Sequence, residues 1–282
     1  MIVIRSAARM AAVARRLERE GKRIGFVPTM GALHEGHCSL IRAAAARHDM
    51  VIVSVFVNPL QFGPREDFAR YPRPFGRDRR LARAAGADLL FAPPARELYP
   101  PGFQTAVEVG PLARRWEGSA RPGHFRGVAT VVAVLFELTR PTTVYVGQKD
   151  YQQALIVGQL IRDLRLPIRL RVQPTVREPG GLAMSSRNAY LSAAERRQAL
   201  ALFHALRAAR ARIRAGERRP GRIAALMRGL IRAKAGVRLE YAAAVDARTL
   251  EPPRRLRGRV ALLGAVRVGR TRLIDNLLVG VP

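Results

Sequence analysis

The segment Pro28-Thr29-Met30-Gly31-Ala32-Leu33-His34-Glu35-Gly36-His37 sets two imidazoles three residues apart beside two glycines. It follows an apolar run, residues 23–29, that reads as a strand ended by Pro28. It opens an amphipathic stretch that reads as a helix over about residues 36–48. Glycine lets backbone approach a ligand closely, and a helix N-terminus is a ready anion site. Histidines at i and i+3 share a helix face. Two other accounts compete with phosphate binding. A zinc-protease pattern needs histidines at i and i+4, and a metal needs further ligands, with only His48, His124 and His204 left to supply an imidazole. Helix-capping histidines with no further role are the second account. Because a strand, two glycines and a helix start coincide, phosphate binding is the better one.

Three other segments carry suitable groups. Gly147-Gln148-Lys149-Asp150 follows a strand-like run and holds one of only three lysines in the chain. An ammonium is a compact point charge suited to a phosphate oxygen, although a surface lysine would look the same. Met184-Ser185-Ser186-Arg187-Asn188, after Gly180-Gly181, offers hydroxyls and a guanidinium for a triphosphate tail. A plain serine turn is the alternative there. Val57-Asn58-Pro59-Leu60-Gln61-Phe62-Gly63 ends an apolar run, and its Asn58 and Gln61 supply neutral donors and acceptors for a small hydroxylated substrate, as does Gln153. Neither GxxxxGK[ST] nor GxGxxG occurs, which argues against a P-loop NTPase or an ordinary NAD-binding turn.

The elements that position these segments alternate. Strands are expected at residues 1–4, 23–29, 51–57, 88–91, 143–146 and 168–172. Helices are expected from a Ser6 cap to about Glu20 and over 36–48, 66–85, 125–138 and 151–164, with a loop at 93–102. This order implies an α/β fold, a Rossmann-like doubly wound parallel sheet with helices on both faces. Such sheets bind ligands at the carboxyl ends of their strands. After about Thr175 the pattern changes to helices at 193–215 and 222–234, then strands at 239–245 and 259–268. The expected organisation is a first domain over 1–175 and a smaller α+β domain over 176–282.

Composition excludes several classes. The chain has 282 residues, 48% of them hydrophobic, which is enough for a substantial core. A single cysteine, Cys38, rules out an internal disulfide and a cysteine-rich zinc site. The longest apolar run, residues 50–57, is far short of a bilayer span. A soluble cytoplasmic protein without membrane partners is therefore expected. Lys and Arg number 50 against 21 acidic residues, a net charge of +29, and 47 of the 50 are arginine. Residues 1–175 carry 27 basic and 14 acidic groups, and residues 176–282 carry 23 and 7. Nucleic-acid readers cluster such charge and add stacking aromatics. Aromatics here are 6% and no RNP-type motif occurs, so scattered, solvated arginines and no nucleic-acid partner are expected.

Five motifs together resemble one family. PTMGALHEGH, FVNPLQF with DFARYPR, RPGHFRGVATVV, VGQKDYQQ and GLAMSSRNAYLS occur in that order along nearly the whole chain, and RLIDN follows near the C-terminus. They resemble the motifs of the pantoate–β-alanine ligase family, within the nucleotidylyltransferase-like group that carries HIGH and KMSKS signatures. His34 to His37 corresponds to the first signature and Met184 to Arg187 to the second.

The resemblance implies ATP-dependent condensation of pantoate with β-alanine to pantothenate, by way of a pantoyl adenylate, with release of AMP and pyrophosphate. ATP is then expected at Met30, Gly31, Ala32, Leu33, His34, Glu35, Gly36 and His37, at Gly147, Gln148, Lys149 and Asp150, at Val176, and at Met184, Ser185, Ser186 and Arg187. His37 carries the family's role of proton donor, with His34 and Lys149 beside it at the phosphates. Gln61 and Gln153 hold pantoate, with β-alanine also near Gln61. Mg²⁺ arrives with the ATP phosphates, with no protein metal ligand assigned, and the family is usually a homodimer. Imidazolium, ammonium, Mg²⁺ and a helix N-terminus suit the charge that develops on the phosphoryl oxygens. Since the adenylate hydrolyses readily, closure of the second domain with the 180–187 loop as latch is expected. Two positions depart from the family pattern, Gln148 where many members have Glu and Gly180 where Asp is common. Another HIGH-type adenylyltransferase or a tRNA synthetase relative acting on a different acid, and a basic RNA-binding protein on the same fold, are the alternatives. The NPLQF segment and Gln153 disfavour the first, and the five ligand motifs disfavour the second.

Overall fold

The run Val51-Ile52-Val53-Ser54-Val55 has no polar face, and a strand of that composition requires cover on both sides. The computed structural model, which describes residues 1–64 and 66–282, gives it that cover. The chain divides into two compact units, one of Met1–Gly147 with Gln152–Pro174, the other of Gln148–Tyr151 with Thr175–Pro282.

In the first unit β1 (Ile2–Ile4), β2 (Ile24–Thr29), β3 (Met50–Val55), β4 (Leu89–Phe91), β5 (Thr143–Gly147) and β6 (Arg169–Gln173) form one sheet in the order β1-β4-β3-β2-β5-β6. Every pair is parallel. The helices are α1 (Ala7–Arg19), α2 (Glu35–Ala45), α3 (Phe75–Ala84), the short α4 (Ala95–Leu98) and α5 (Glu117–Ala120), α6 (His124–Thr139) and α7 (Tyr151–Asp163). Successive strand residues serve opposite layers. Phe26, Ile52 and Val144 pack with Met10 of α1, Val132 of α6 and Leu160 of α7. Val27, Val53 and Tyr145 pack with Ile41 of α2 and Ala82 of α3. The sheet is thus doubly wound. Chain order reverses at β2, which has β3 on one side and β5 on the other. Ligands of such sheets gather outside the strand ends at this reversal, where the segments after Thr29 and Gly147 leave the sheet.

Three local expectations needed correction. Pro28 does not end its strand; it lies within β2, opposite Ser54. It is tolerated because β2 pairs with β5 only at Gly25 and Phe26, so no ladder bond is wanted from its missing N–H. The helix expected over 66–85 is confined to Phe75–Ala84, since Pro72 and Pro74 cannot lie inside a helix and Pro74 serves as its N-cap. The loop at 93–102 contains the turn of helix α4, started after Pro94.

The second unit packs α8 (Ala193–Arg214) and α9 (Pro220–Arg232) on an antiparallel sheet, β7 (Val237–Asp246), β8 (Gly258–Val268) and β9 (Thr271–Val281), in that order. Ser192 and Glu195 form a reciprocal capping box at the start of α8. Leu202, Leu206 and Ile213 of α8 meet Met227 of α9 and Leu262 and Val266 of β8 in one core. The third strand, β9, was not anticipated. Its signal was present in Gly269-Arg270, a two-residue turn between the paired Val268 and Thr271, with Gly269 at φ 55°. No helix among the described residues is long and apolar enough to cross a membrane.

Candidate active site

The chain leaves β2 through left-handed conformations at Gly31 (φ 80°) and Ala32 (φ 49°). A non-glycine residue held there costs about 1–2 kcal/mol, so the turn needs an anchor. Asp78, fully buried in the first turn of α3, provides it. Its carboxylate accepts the Ala32 N–H at 2.9 Å and the Leu33 N–H at 2.7 Å. Burial pushes the Asp78 carboxyl up, while the two amides pull it down. Thr29 Oγ1 accepts the Gly31 N–H at 3.1 Å and donates to Ser54 O at 2.6 Å. Asp78→Ala leaves two amides without their acceptor and is expected to lower stability by about 2–4 kcal/mol, read from the denaturant midpoint. Asp78→Asn keeps one acceptor and should lose less.

His34 is the N-cap of α2, and its Nδ1 accepts the Gly36 N–H at 3.1 Å. His37 Nδ1 accepts the His34 N–H at 3.3 Å in return. The ring centroids are 4.1 Å apart. Capping, one of the competing accounts of this motif, is therefore real. It uses only Nδ1 of each ring, which puts the ring proton on Nε2 and makes each Nε2 a donor. A ring that takes a second proton, on Nδ1, becomes an imidazolium and gives up its cap bond. Glu35 is exposed and pairs with Arg42. Cys38 lies buried behind the turn, and burial pushes its thiol up, away from the thiolate a nucleophile requires.

β3 leads into a single 3₁₀ turn at Pro59–Gln61, capped by Asn58. Asn58 is buried and fully paired. Its Oδ1 accepts the Leu60 N–H at 3.2 Å and the Tyr99 hydroxyl at 2.8 Å. Its Nδ2 donates to Gln61 Oε1 and Gly127 O, each at 3.0 Å. With Oε1 engaged, the donor of the buried Gln61 amide is Nε2, which donates to Met30 Sδ at 3.1 Å. Close approach of α6 makes this possible: a Cβ at Gly127 would lie 2.2 Å from Leu60 O.

The Gln61 carbonyl is held as firmly. Arg121 makes two bonds to Glu66, at 2.6 and 2.7 Å, and donates to His124 Nε2 at 2.9 Å. Since a guanidinium only donates, Nε2 accepts, and His124 Nδ1–H must donate to Gln61 O, 2.9 Å away. Burial and the Arg121 charge lower the His124 imidazole from its ordinary 6.5 to about 4. The unfolded chain therefore binds this proton more readily. The His124 contribution is intact above pH 6.5 and is lost as pH falls from 6.5 to about 4, by on the order of 3 kcal/mol. His124→Asn, which keeps an N–H near Gln61 O, is expected to flatten that part of the stability-versus-pH curve.

In the second unit Gln148–Asp150 forms one 3₁₀ turn, with Lys149 Nζ 3.3 Å from Asp150 Oδ1. Residues 176–184 fold back on themselves: Met184 N–H donates to Val176 O at 3.0 Å, and Arg177 bridges to Ala183. Gly181 is obligatory here, with φ 107° and a would-be Cβ 2.0 Å from the Phe203 ring. Gly180, the departure noted above, has φ 91°. Ser185 caps the next turn by accepting the Arg187 N–H at 3.3 Å. Asn188 donates to Glu178 at 2.7 Å and to Ala183 O at 3.1 Å, fastening the loop at its far end.

The expected site residues thus fall into two sets. Met30 to His37, Gly147, Gln61 and Gln153 belong to the first unit; Gln148, Lys149, Asp150, Val176 and Met184 to Arg187 belong to the second. Met30 meets Gln61, His34 meets His37, and Val176 meets Met184. Gln153 is half-buried on α7, whereas its neighbour Gln152 is buried and structural, donating to Leu112 O and Arg115 O at 2.8 Å each. Sequence reading missed Asp78, Arg121, His124, Asp275 and Asn276. The only signal for the last four was their place inside RPGHFRG and RLIDN, motifs to which no role had been given. No group of three His, Cys, Asp or Glu able to hold a metal occurs among the described residues.

The family model of pantoate–β-alanine ligase matches residues 2–278. A pantothenate synthetase of Moorella thermoacetica is 53% identical over 263 residues, 93% of each chain. The crystal structure of pantothenate synthetase from Thermus thermophilus is 47% identical, covers 98% of this chain and 99% of its own, and superposes with a TM-score of 0.93. The pantoate–β-alanine ligase of Francisella tularensis, complexed with β-γ ATP and β-alanine, is 34% identical over 99% of this chain and 97% of its own, with a TM-score of 0.80. Taken with the doubly wound sheet and the capped His34–His37 turn at its reversal point, these likenesses establish that the chain belongs to the pantoate–β-alanine ligase family.

Proposed function

We propose that this chain condenses pantoate with β-alanine, using ATP and releasing AMP and pyrophosphate. A carboxylate is a poor acyl donor and must first be activated. A pantoate carboxylate oxygen attacks the α-phosphorus, the bond to the β-phosphate breaks, and pyrophosphate leaves with its electron pair. The β-alanine amine then attacks the acyl carbon of pantoyl adenylate, AMP departs with the former carboxylate oxygen, and the amine loses a proton. No protein nucleophile is required, which accords with the buried thiol of Cys38.

The observation that carries the reading is the reciprocal cap of His34 and His37, which stations two Nε2–H donors at the start of α2. Charge develops on the phosphoryl oxygens as pyrophosphate leaves, and fixed donors are worth most where charge appears. We assign His37 as the proton donor, with His34 and Lys149 at the phosphates. The amides of Gly31 to Gly36 and the loops at Gly147 to Asp150, Val176 and Met184 to Arg187 complete the nucleotide site. Gln61, presenting its amide as a donor, and Gln153 hold pantoate, with β-alanine near Gln61. A divalent cation reaches the site on the ATP phosphates, whose charge it offsets; we assign it as Mg²⁺. We further propose a homodimer of the 31.1 kDa chain, working in the cytoplasm.

Oxygen transfer tests this directly. With pantoate labelled by ¹⁸O in its carboxylate, one label should appear in AMP. Unlabelled AMP alongside pantothenate would mean that activation does not proceed through an acyl adenylate.

A further inference from the structure

Asp275 and Asn276 lie side by side on β9, both buried, and bring two distant loops of the second unit together. Asn276 Nδ2 donates to Gln148 O and to Lys149 O, each at 2.9 Å, and Oδ1 accepts Gln148 Nε2 at 3.1 Å. Both of its N–H donors are therefore spent on the carbonyls of two successive residues. Asp275 takes the Arg177 guanidinium through two bonds, at 2.6 and 3.0 Å. Arg177 also donates to Gly181 O at 2.9 Å and lies 4.3 Å from the centre of the Phe203 ring. Asp275 Oδ1 accepts the Asn276 N–H at 2.7 Å, which locks carboxylate and amide to each other. One dipeptide thus fixes both the lysine turn and the folded-back segment leading to Ser185 and Arg187.

The lysine turn needs such a frame. Gln148–Asp150 is a single 3₁₀ turn between a strand and a helix, too short to hold its own carbonyls. Lysine ends in a point charge on a flexible four-carbon stem, so where the charge sits depends on where the backbone is held. We propose that Asn276 is a positioning residue for adenylate formation, holding the Lys149 backbone so that its ammonium meets the ATP phosphates. Asp275 and Arg177 set the 176–187 loop against the same turn. This inference rests on the assignment of Lys149 to ATP given above.

A double-mutant cycle with Lys149→Ala tests it, read by pantoate-dependent pyrophosphate–ATP exchange with thermal midpoints as control. Asn276→Asp keeps the volume and the acceptor for Gln148 but sets an oxygen against two carbonyl oxygens. Asn276→Ser, uncharged, serves the same cycle if the aspartate variant does not fold. In the native background the change should lower the exchange kcat about 30-fold or more, as a misplacement near 1 Å does, with KM for pantoate within about twofold. In the Lys149→Ala background it should lower kcat less than about threefold, because the group it positions is gone. An equal loss in both backgrounds would assign Asn276 a merely structural role and overturn the inference, leaving the Lys149 assignment standing. If Lys149→Ala alone exchanges at the native rate, the Lys149 assignment fails, and the inference with it.

Discussion

Lys149→Ala is expected to lower pantoate-dependent pyrophosphate–ATP exchange by about 10²–10³-fold, the loss seen when one fixed group facing developing charge is removed. The fold should survive. The ion pair of Lys149 with Asp150 is 3.3 Å long, with the Asp150 side chain 46% exposed, and such pairs contribute about 0–1 kcal/mol. The turn itself is held by main-chain carbonyls bonded to Asn276, which the substitution leaves in place. A large kinetic loss with a thermal midpoint shifted by only a few degrees is the expected pair of results. Native exchange in the folded variant would remove Lys149 from the reaction.

His37→Ala should slow the same exchange by about 10²–10⁴-fold, the range for a positioned proton donor. It also deletes the acceptor of the His34 N–H, and loss of a cap costs about 1 kcal/mol. Exchange measurements alone would mix these effects, and His37→Asn separates them. Its side-chain oxygen can still accept the His34 N–H, yet it carries no donor at the place of Nε2. Stability close to native with exchange as slow as in His37→Ala is the expected outcome. If His37→Asn restores both, the ring acts only as a cap.

Legibility in the sequence followed the range of the interactions. Segments whose structure is set by neighbouring residues are readable: the apolar run of β3, the Ser6 cap of α1, and the helix start near Gly36, observed at Glu35. The 66–85 stretch carries amphipathic spacing throughout, but Pro72 and Pro74 confine the helix to Phe75–Ala84. β9 escapes local reading because its residues mix charged and apolar side chains without a steady alternation, and only the Gly269-Arg270 turn before it marks a hairpin. The glycine, histidine, lysine and serine loops stood out by composition. Their supports did not. Asp78 acts 46 residues from Ala32, His124 63 residues from Gln61, and Asn276 127 residues from Lys149. A buried Asp on an arginine-rich helix, or Asp-Asn within a strand, has no local pattern that names its distant partner. The arginine content also has no specific structural account beyond individual pairs such as Arg177–Asp275 and Arg121–Glu66.

The central claim is that this chain makes pantoyl adenylate. Pyrophosphate–ATP exchange with pantoate present and β-alanine absent measures that half-reaction alone. Exchange that depends on pantoate, followed by release of AMP and pantothenate when β-alanine is added, is the result expected. Folded protein supplied with Mg²⁺ that shows no exchange with pantoate would contradict it.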